Sequence, residues 1–218
     1  MMLTLYCHPL ASYCWKALIA LYENGTPFVK QVVDLGDPSQ RAELSALWPL
    51  CRFPVLRDKD RVVAESSIIV EYMDRQYPGQ HSLFPRDAGA VLEVRLWDRL
   101  FDNYLQSPMQ EVVFDSLRRA NGDVSGAHAT LATAYELIDR QLVTSPWIVG
   151  DAFSAADCAA APALFYAVTL QPFPVHYTRL RAYFDRLVER PSVRRTLEEA
   201  KPFFKDYPFA KAIAARFR

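Results

Sequence analysis

The hydrophobic period changes once along this chain, near residue 77, and that change limits the folds it can adopt. Before it, apolar runs of strand length alternate with helical stripes; after it, every strong pattern is helical. Residues 2–6 form a strand-length apolar run. Ser12–Asn24 carries Cys14, Leu18, Leu21 and Tyr22 near the 3.6-residue period, and Gly25 follows as a stop. Residues 28–33 read as a second strand and 39–47 as a short helix. Residues 54–57 and 61–64, separated by the polar Asp58-Lys59-Asp60, predict a hairpin. Ser66–Gln76 is helical again and ends at Pro78-Gly79. The order β-α-β-α-β-β-α fits one mixed four-stranded sheet carrying three helices, with a parallel pair from the βαβ half and an antiparallel hairpin after it.

Residues 78–87 have the composition of an interdomain linker. Residues 88–119 make one long helical pattern, with Leu92, Leu96, Leu100, Tyr104 and Leu105 on related faces and a kink expected at Pro108. Residues 123–142 form a second long helix with Leu131, Ala134, Tyr135, Ile138 and Leu142 as its stripe. Ala155–Leu170 is apolar on all sides, so it is expected to be buried nearly all round and bent at Pro162. Thr178–Glu189 and 192–200 complete the set, and no internal repeat appears. The fold class is α/β plus all-α: a β-α-β-α-β-β-α domain over 1–77, followed by an all-helical domain over 88–218.

Charge narrows the function. Lys+Arg and Asp+Glu are 25 each, so the basic excess of a nucleic-acid binder is missing. No stretch reaches the ~20 apolar residues that span a bilayer, and the start, Met1-Met2-Leu3-Thr4-Leu5-Tyr6, lacks the basic and apolar regions of a secretion signal. A cytoplasmic protein with reduced thiols is expected. Cys7, Cys14, Cys51 and Cys158 have no zinc spacing, and neither a Walker loop nor G-x-G-x-x-G occurs, so neither metal nor nucleotide is expected.

Three segments can carry chemistry. In Tyr6-Cys7-His8-Pro9-Leu10-Ala11-Ser12-Tyr13, a hydroxyl sits where the first helix begins. Ser12 is either an N-cap or a donor to an anion held at the positive helix end, where a thiolate would have a lowered pKa. In Arg52-Phe53-Pro54-Val55-Leu56, a proline precedes a β run. It is either trans at an edge strand or cis; a cis bond would turn the Phe53 backbone outward to pair with an extended peptide. In Ala64-Glu65-Ser66-Ser67, Ser66 either caps the next helix or, with its amide, grips a carboxylate while Glu65 accepts from an ammonium. A fourth motif, Ser154-Ala155-Ala156-Asp157, reads as a capping box that starts the buried helix. Cys51 is a small buried residue or an oxidisable thiol. Phe101, Tyr104, Phe165, Tyr166 and Phe203 have core-like spacing, and some could line a pocket between the domains.

In this order the motifs resemble the cytosolic glutathione S-transferase family, over most of the chain from Leu3 to about Ala200. Trp48-Pro49-Leu50-Cys51-Arg52-Phe53-Pro54-Val55-Leu56 is similar to the family's Asn-Pro-x-Gly-Lys-Val-Pro-x-Leu, with Trp48, Cys51 and Arg52 as departures. The overall look is that of bacterial, serine-type members. The resemblance implies a thioredoxin-like first domain that holds glutathione and a helical domain that completes the electrophile site. Glu65 and Ser66 would hold the γ-glutamyl end, the Phe53 backbone beside Pro54 the cysteinyl backbone, and Arg52 the glycyl carboxylate. Ser12 would stabilise the thiolate. Leu10, Tyr104 and Phe165 are expected in the electrophile pocket.

The implied activity is conjugation of glutathione, as co-substrate, to a small hydrophobic electrophile, in a homodimer and without metal. Two alternatives stand beside it. One is a non-catalytic binding or regulatory protein of the same fold, favoured by Ala11 where some serine-type members carry the hydroxyl. The other is a glutathione-dependent reductase or isomerase using Cys7 or Cys14.

Overall fold

The computed structural model describes residues 3–218; Met1 and Met2, on which part of the first strand and of the leader reading fell, lie outside the described residues. Four strands form one mixed sheet: β1 (Leu3–Cys7), β2 (Phe28–Val32), β3 (Val55–Asp58) and β4 (Arg61–Ala64), in the order β2-β1-β3-β4. β1 and β2 are parallel, with Leu5 opposite Lys30. β3 is antiparallel to β1, with Leu5 opposite Leu56, and β4 is antiparallel to β3. Alternation along β1 divides the core. Leu3, Leu5 and Cys7 pack under α1 (Ser12–Asn24) and α3 (Ser66–Gln76) with Leu18, Leu21, Ile69 and Met73. Tyr6 faces the other side, with Val55 and Leu44 of α2 (Pro38–Leu47). The first domain is therefore a sheet with helices on both faces.

Helix α1 is buried on nearly its whole circumference because a second helical layer covers its outer side. That layer contains α4 (Ala88–Phe101), α5 (Ser107–Arg118), α6 (Ser125–Gln141), α7 (Ala155–Leu170), α8 (Thr178–Glu189) and α9 (Pro191–Ala200), followed by short 3₁₀ turns. Trp15 of α1 packs into the same cluster as Phe165 and Tyr166 of α7, so one apolar core runs across both parts of the chain. α7 spans the expected residues and contains Pro162. At its start the Asp157 carboxylate accepts the Ser154 N–H at 2.8 Å, the Ile148 N–H at 3.2 Å and the Tyr183 hydroxyl at 2.5 Å. These donors satisfy a fully buried acid whose pKa is pushed up by burial. Two further clasps cross between the layers: Arg190 holds Glu23 with two 2.7 Å bonds, and Glu199 accepts from Tyr22 and Lys30, each at 2.7 Å. Among the described residues, no helix is long and apolar enough to cross a membrane.

The helix expected over 88–119 runs without a break over residues 88–118, but not as α-helix throughout. Between α4 and α5 the chain makes a π-helical stretch, Asp102–Gln106, just ahead of Pro108. Proline cannot donate to the turn before it, and a π turn admits one extra residue there. The extra residue rotates the rest of the helix by about 100°. Leu105 follows the buried stripe of Val94, Trp97 and Phe101, whereas Tyr104 follows Leu92 and Leu96 on the exposed side and is 55% exposed.

Candidate functional site

The backbone of both site-forming helices begins without a side-chain cap. The N-cap of α1 is Ala11 and that of α3 is Glu65; neither makes a capping hydrogen bond. This corrects the capping role expected of Ser12 and Ser66, which are instead the first helical residues, both buried. Among the described residues, the N–H groups of Ser12, Tyr13, Ser66 and Ser67 have no backbone acceptor, and Ser12 Oγ makes no hydrogen bond. Such free helix N-termini bind anions. Glu65 has φ 68° and ψ 121°, a conformation a non-glycine residue rarely takes and one that costs about 1–3 kcal/mol. The strain turns the chain sharply from β4 into α3.

Two adjoining compartments meet at these helix ends. The first, of about 300 Å³, is polar: Tyr13, Arg52, Phe53, Pro54, Glu65 and Ser66 line it from the first domain, and Arg99, Asp102, Asn103, Ser107 and Gln110 from the helical part. The second, of about 670 Å³, is mostly apolar, with Leu10, Ser12, Met109, Val113, Phe114 and Tyr166 in its walls. Tyr13, Arg52, Phe53 and Gln110 line both, so the two spaces adjoin across these side chains. The Phe53–Pro54 bond is cis, the second of the two forms left open by the sequence. Phe53 stacks on His8 with ring centroids 6.0 Å apart. Cys51, with φ 50°, is half-buried in the wall of the apolar space.

The expected residues divide unequally. Arg52, Phe53, Pro54, Glu65 and Ser66 come together around the polar compartment, while Ser12 and Leu10 lie in the apolar one. Tyr104 and Phe165 line neither. Tyr104 continues the exposed stripe of Leu92 and Leu96. Phe165 faces away from both, 5.0 Å from the Trp15 ring and stacked on Phe204 at 5.8 Å. Its neighbour Tyr166, a residue apart on a helix buried all round, reaches the apolar space instead. Cys7 and Cys14, which a thiol-redox reading needs, are fully buried. Burial pushes the Cys7 thiol up to about 12 and raises Cys14 well above the usual range, so both are protonated at neutral pH and shielded.

A buried ion cluster behind the polar compartment has no counterpart in the motif reading. Lys16 of α1 is fully buried, with Nζ 2.5 Å from Asp98 Oδ1, 2.9 Å from Asp102 Oδ2 and 2.7 Å from Ser67 Oγ. Ser67 donates to Asp98 at 2.7 Å, and Arg99 closes the cluster at its exposed rim, 2.5 Å from Asp102. Burial raises both carboxyl pKa values. At Asp98 the attraction and hydrogen bond of Lys16 outweigh burial and hold the acid below its ordinary value; at Asp102 burial, reinforced by the Asp98 charge, wins and the pKa rises. The signal was present in the sequence as ionisable residues on apolar stripes: Lys16 between Trp15 and Ala17, and Asp98 and Asp102 among Val94, Trp97, Phe101 and Leu105.

Known proteins share this fold. A family model described as glutathione S-transferase, N-terminal domain, matches residues 11–76, and one described as glutathione S-transferase, C-terminal domain, matches residues 113–186. The stringent starvation protein A homolog of Haemophilus influenzae is 25% identical over 212 residues, 92% of each chain. Glutathione S-transferase GstB of Escherichia coli K12 is 25% identical over 209 residues, 90% of this chain and 98% of that one. A delta-class glutathione transferase of Nilaparvata lugens superposes with a TM-score of 0.85 at 21% identity, over 97% of this chain and 100% of that one. The unclassified glutathione S-transferase 2 of Bombyx mori gives 0.86 at 18% identity, over 98% and 100%. With both domain models matched in order across the compartments described above, the chain belongs to the glutathione S-transferase family.

Proposed function

We propose that this protein is a glutathione transferase that joins the glutathione sulfur to a small hydrophobic electrophile. The observation that carries this reading is the adjacency of the two compartments: a polar slot on two uncapped helix ends shares four wall residues with an apolar cleft. In this reading residues 1–77 hold the tripeptide and 88–218 complete the electrophile site. The γ-glutamyl carboxylate takes the free amides of Ser66 and Ser67, and its ammonium takes Glu65. The cysteinyl backbone pairs with Phe53 beside Pro54, and Arg52 meets the glycyl carboxylate. The sulfur then lies at the start of α1.

Ionisation releases the thiol proton to solvent. Ser12 Oγ, with the Ser12 and Tyr13 amides, holds the thiolate that remains. The thiolate attacks the electrophilic carbon in the cleft formed by Leu10, Met109, Val113 and Phe114. A carbon–sulfur bond forms, and a leaving group such as halide departs with the electron pair of the broken bond. The protein supplies position and charge, and no protein bond is made.

Exposed Leu92 and Leu96, one turn apart on α4, together with Ile68 on α3 and Leu50, support a homodimer that covers them with a second copy of the chain. The four free thiols suit a reducing cytoplasm. Retention on immobilised glutathione, followed by turnover of glutathione with an aromatic halide, tests the reading; failure of both removes it. Sedimentation tests the dimer.

A second reading is a non-catalytic binding protein of the same fold. The similarity to stringent starvation protein A homologs and the absence of a hydroxyl at Ala11 favour it. It predicts a chain that is folded and dimeric but does not turn over with any electrophile.

A further inference from the structure

A second cavity, of about 370 Å³, lies among α7, α8 and the C-terminal turns and shares no lining residue with either compartment of the candidate site. This is within the range of small-molecule sites. One wall is a run of phenyl rings in contact: Phe173 lies 5.3 Å from Phe184, Phe184 6.1 Å from Phe217, and Phe217 5.5 Å from Phe165. Phenylalanine has few rotamers to lose, so this wall is largely formed before any ligand arrives.

The charged groups at the cavity are Arg181, Asp185 and Arg216. Arg181 and Asp185 are one turn apart on α8, the spacing of a helical ion pair. Asp185 instead pairs with Arg216 at 2.6 Å. Arg181 is left exposed and without a hydrogen-bond or ion-pair partner among the described residues. The cavity therefore combines an aromatic wall with one uncompensated guanidinium.

We infer that this cavity is a second small-molecule site, and that it takes a monocarboxylate with an aromatic or alkyl body, the body against the four phenyl rings and the carboxylate on Arg181. A cation is repelled by the net positive charge. A polyanion gains nothing from the rings and has only one free guanidinium to meet. Such a ligand would also bear on the candidate site. Phe165 and Tyr166 are consecutive on α7, one facing each space, with rings in edge contact at 5.2 Å. Thr169 of this cavity shares a 2.8 Å hydrogen bond with Tyr207, which lines the apolar cleft.

Calorimetry of the full chain with sodium phenylbutyrate at neutral pH tests the inference, with phenylbutanol as the uncharged probe of the same body. Phenylbutyrate is expected to bind about tenfold more tightly than phenylbutanol, as one charge-assisted contact provides. Arg181→Gln, on the solvent side of α8, should erase that difference, and Arg118→Gln in the interdomain cleft should leave it intact. No binding of phenylbutyrate at millimolar concentration overturns the inference. So does equal affinity for acid and alcohol, or an affinity lost in R118Q but kept in R181Q. None of these outcomes depends on turnover with glutathione, so failure here and failure of the transferase reading are separable.

Discussion

Replacing Lys16 by methionine removes a single positive charge and keeps most of the side-chain volume, so its effect isolates the buried ion cluster. The ammonium is fully buried and meets Asp98 at 2.5 Å and Asp102 at 2.9 Å. In Lys16→Met both acids keep their burial and lose their shared counter-ion, with only the half-exposed Arg99 left beside them. Breaking a buried pair from one side costs roughly 3–5 kcal/mol. For a chain of this size that lowers the apparent Tm by roughly 6–20 °C.

The loss depends on pH, and its sign is fixed. Without Lys16 the folded-state pKa values of the two acids rise above the ordinary 3.8. A raised carboxyl pKa favours the folded state below the unfolded pKa, and that benefit is lost as pH rises through the folded value. The defect should therefore be largest near neutral pH and shrink toward pH ~4. Thermal denaturation of K16M across that range, beside Lys16→Met/Asp98→Asn/Asp102→Asn, is the measurement. The triple variant should recover part of the loss, because it removes the stranded charges. A K16M cost below about 1 kcal/mol at neutral pH, or a defect that grows on acidification, would refute the account of the cluster.

Ser12→Ala should raise the pKa of the bound glutathione thiol by about 1–2, the equivalent of one hydrogen bond to a charged acceptor; thiolate absorbance against pH reads it, and an unchanged titration removes Ser12 from the mechanism. Glu199→Gln should cost about 1 kcal/mol near neutral pH, discounted for the partial exposure of its partners. Burial raises the Glu199 pKa but hydrogen bonds from Lys30 and Tyr22 outweigh it, leaving the acid below 4.5. The E199Q defect should accordingly fade as pH falls through that lowered value, and denaturation midpoints that stay apart in acid would contradict this. Native alkylation followed by intact mass should give one fast adduct, at Cys51, since Cys7, Cys14 and Cys158 are buried; rapid labelling of a second cysteine would show that the core opens.

Where a physical rule acts within one element, the sequence was enough to find it. Ala155–Leu170 has no polar face, so its burial, its start at the Ser154–Asp157 box and its limits could all be read directly. The parallel β1–β2 pair and the antiparallel β3–β4 hairpin followed from the helical crossover and the polar turn. Pro54, Glu65 and Ser66 were legible because they are local punctuation at a strand start and a helix start. The lining of the apolar compartment was not, because it depends on phase. Tyr104 continues the stripe of Leu92 and Leu96, whose apolar spacing does not reveal that it faces outward, and a helix apolar on all sides gives no sign whether Phe165 or Tyr166 faces the cleft. Capping by Ser12 and Ser66 failed for a different reason. Both are displaced by one position, and no propensity distinguishes an N-cap serine from one at N1 when the preceding residue takes the cap without using its side chain.

The ion cluster also explains why the site and the domain interface cannot be separated. Asp98 and Asp102 are one turn apart, and like charges at that spacing repel within a helix. Asp98 lies on the buried stripe of α4 and Asp102 at the start of the π stretch that continues it, where an unpaired carboxylate is costly. Nothing on α4 itself neutralises them except Arg99 at the rim; the buried cation comes from α1, in the other half of the chain. The helical half therefore buries this face at low cost only with the first half docked against it. Ser67 stands at the junction, accepting from Lys16 and donating to Asp98, and it is the residue after Ser66. The amide that would meet a γ-glutamyl carboxylate is thus fixed by the bonds that fasten the two halves together. A change that loosens the interface at α4 should weaken glutathione binding even when it touches no residue of the polar compartment.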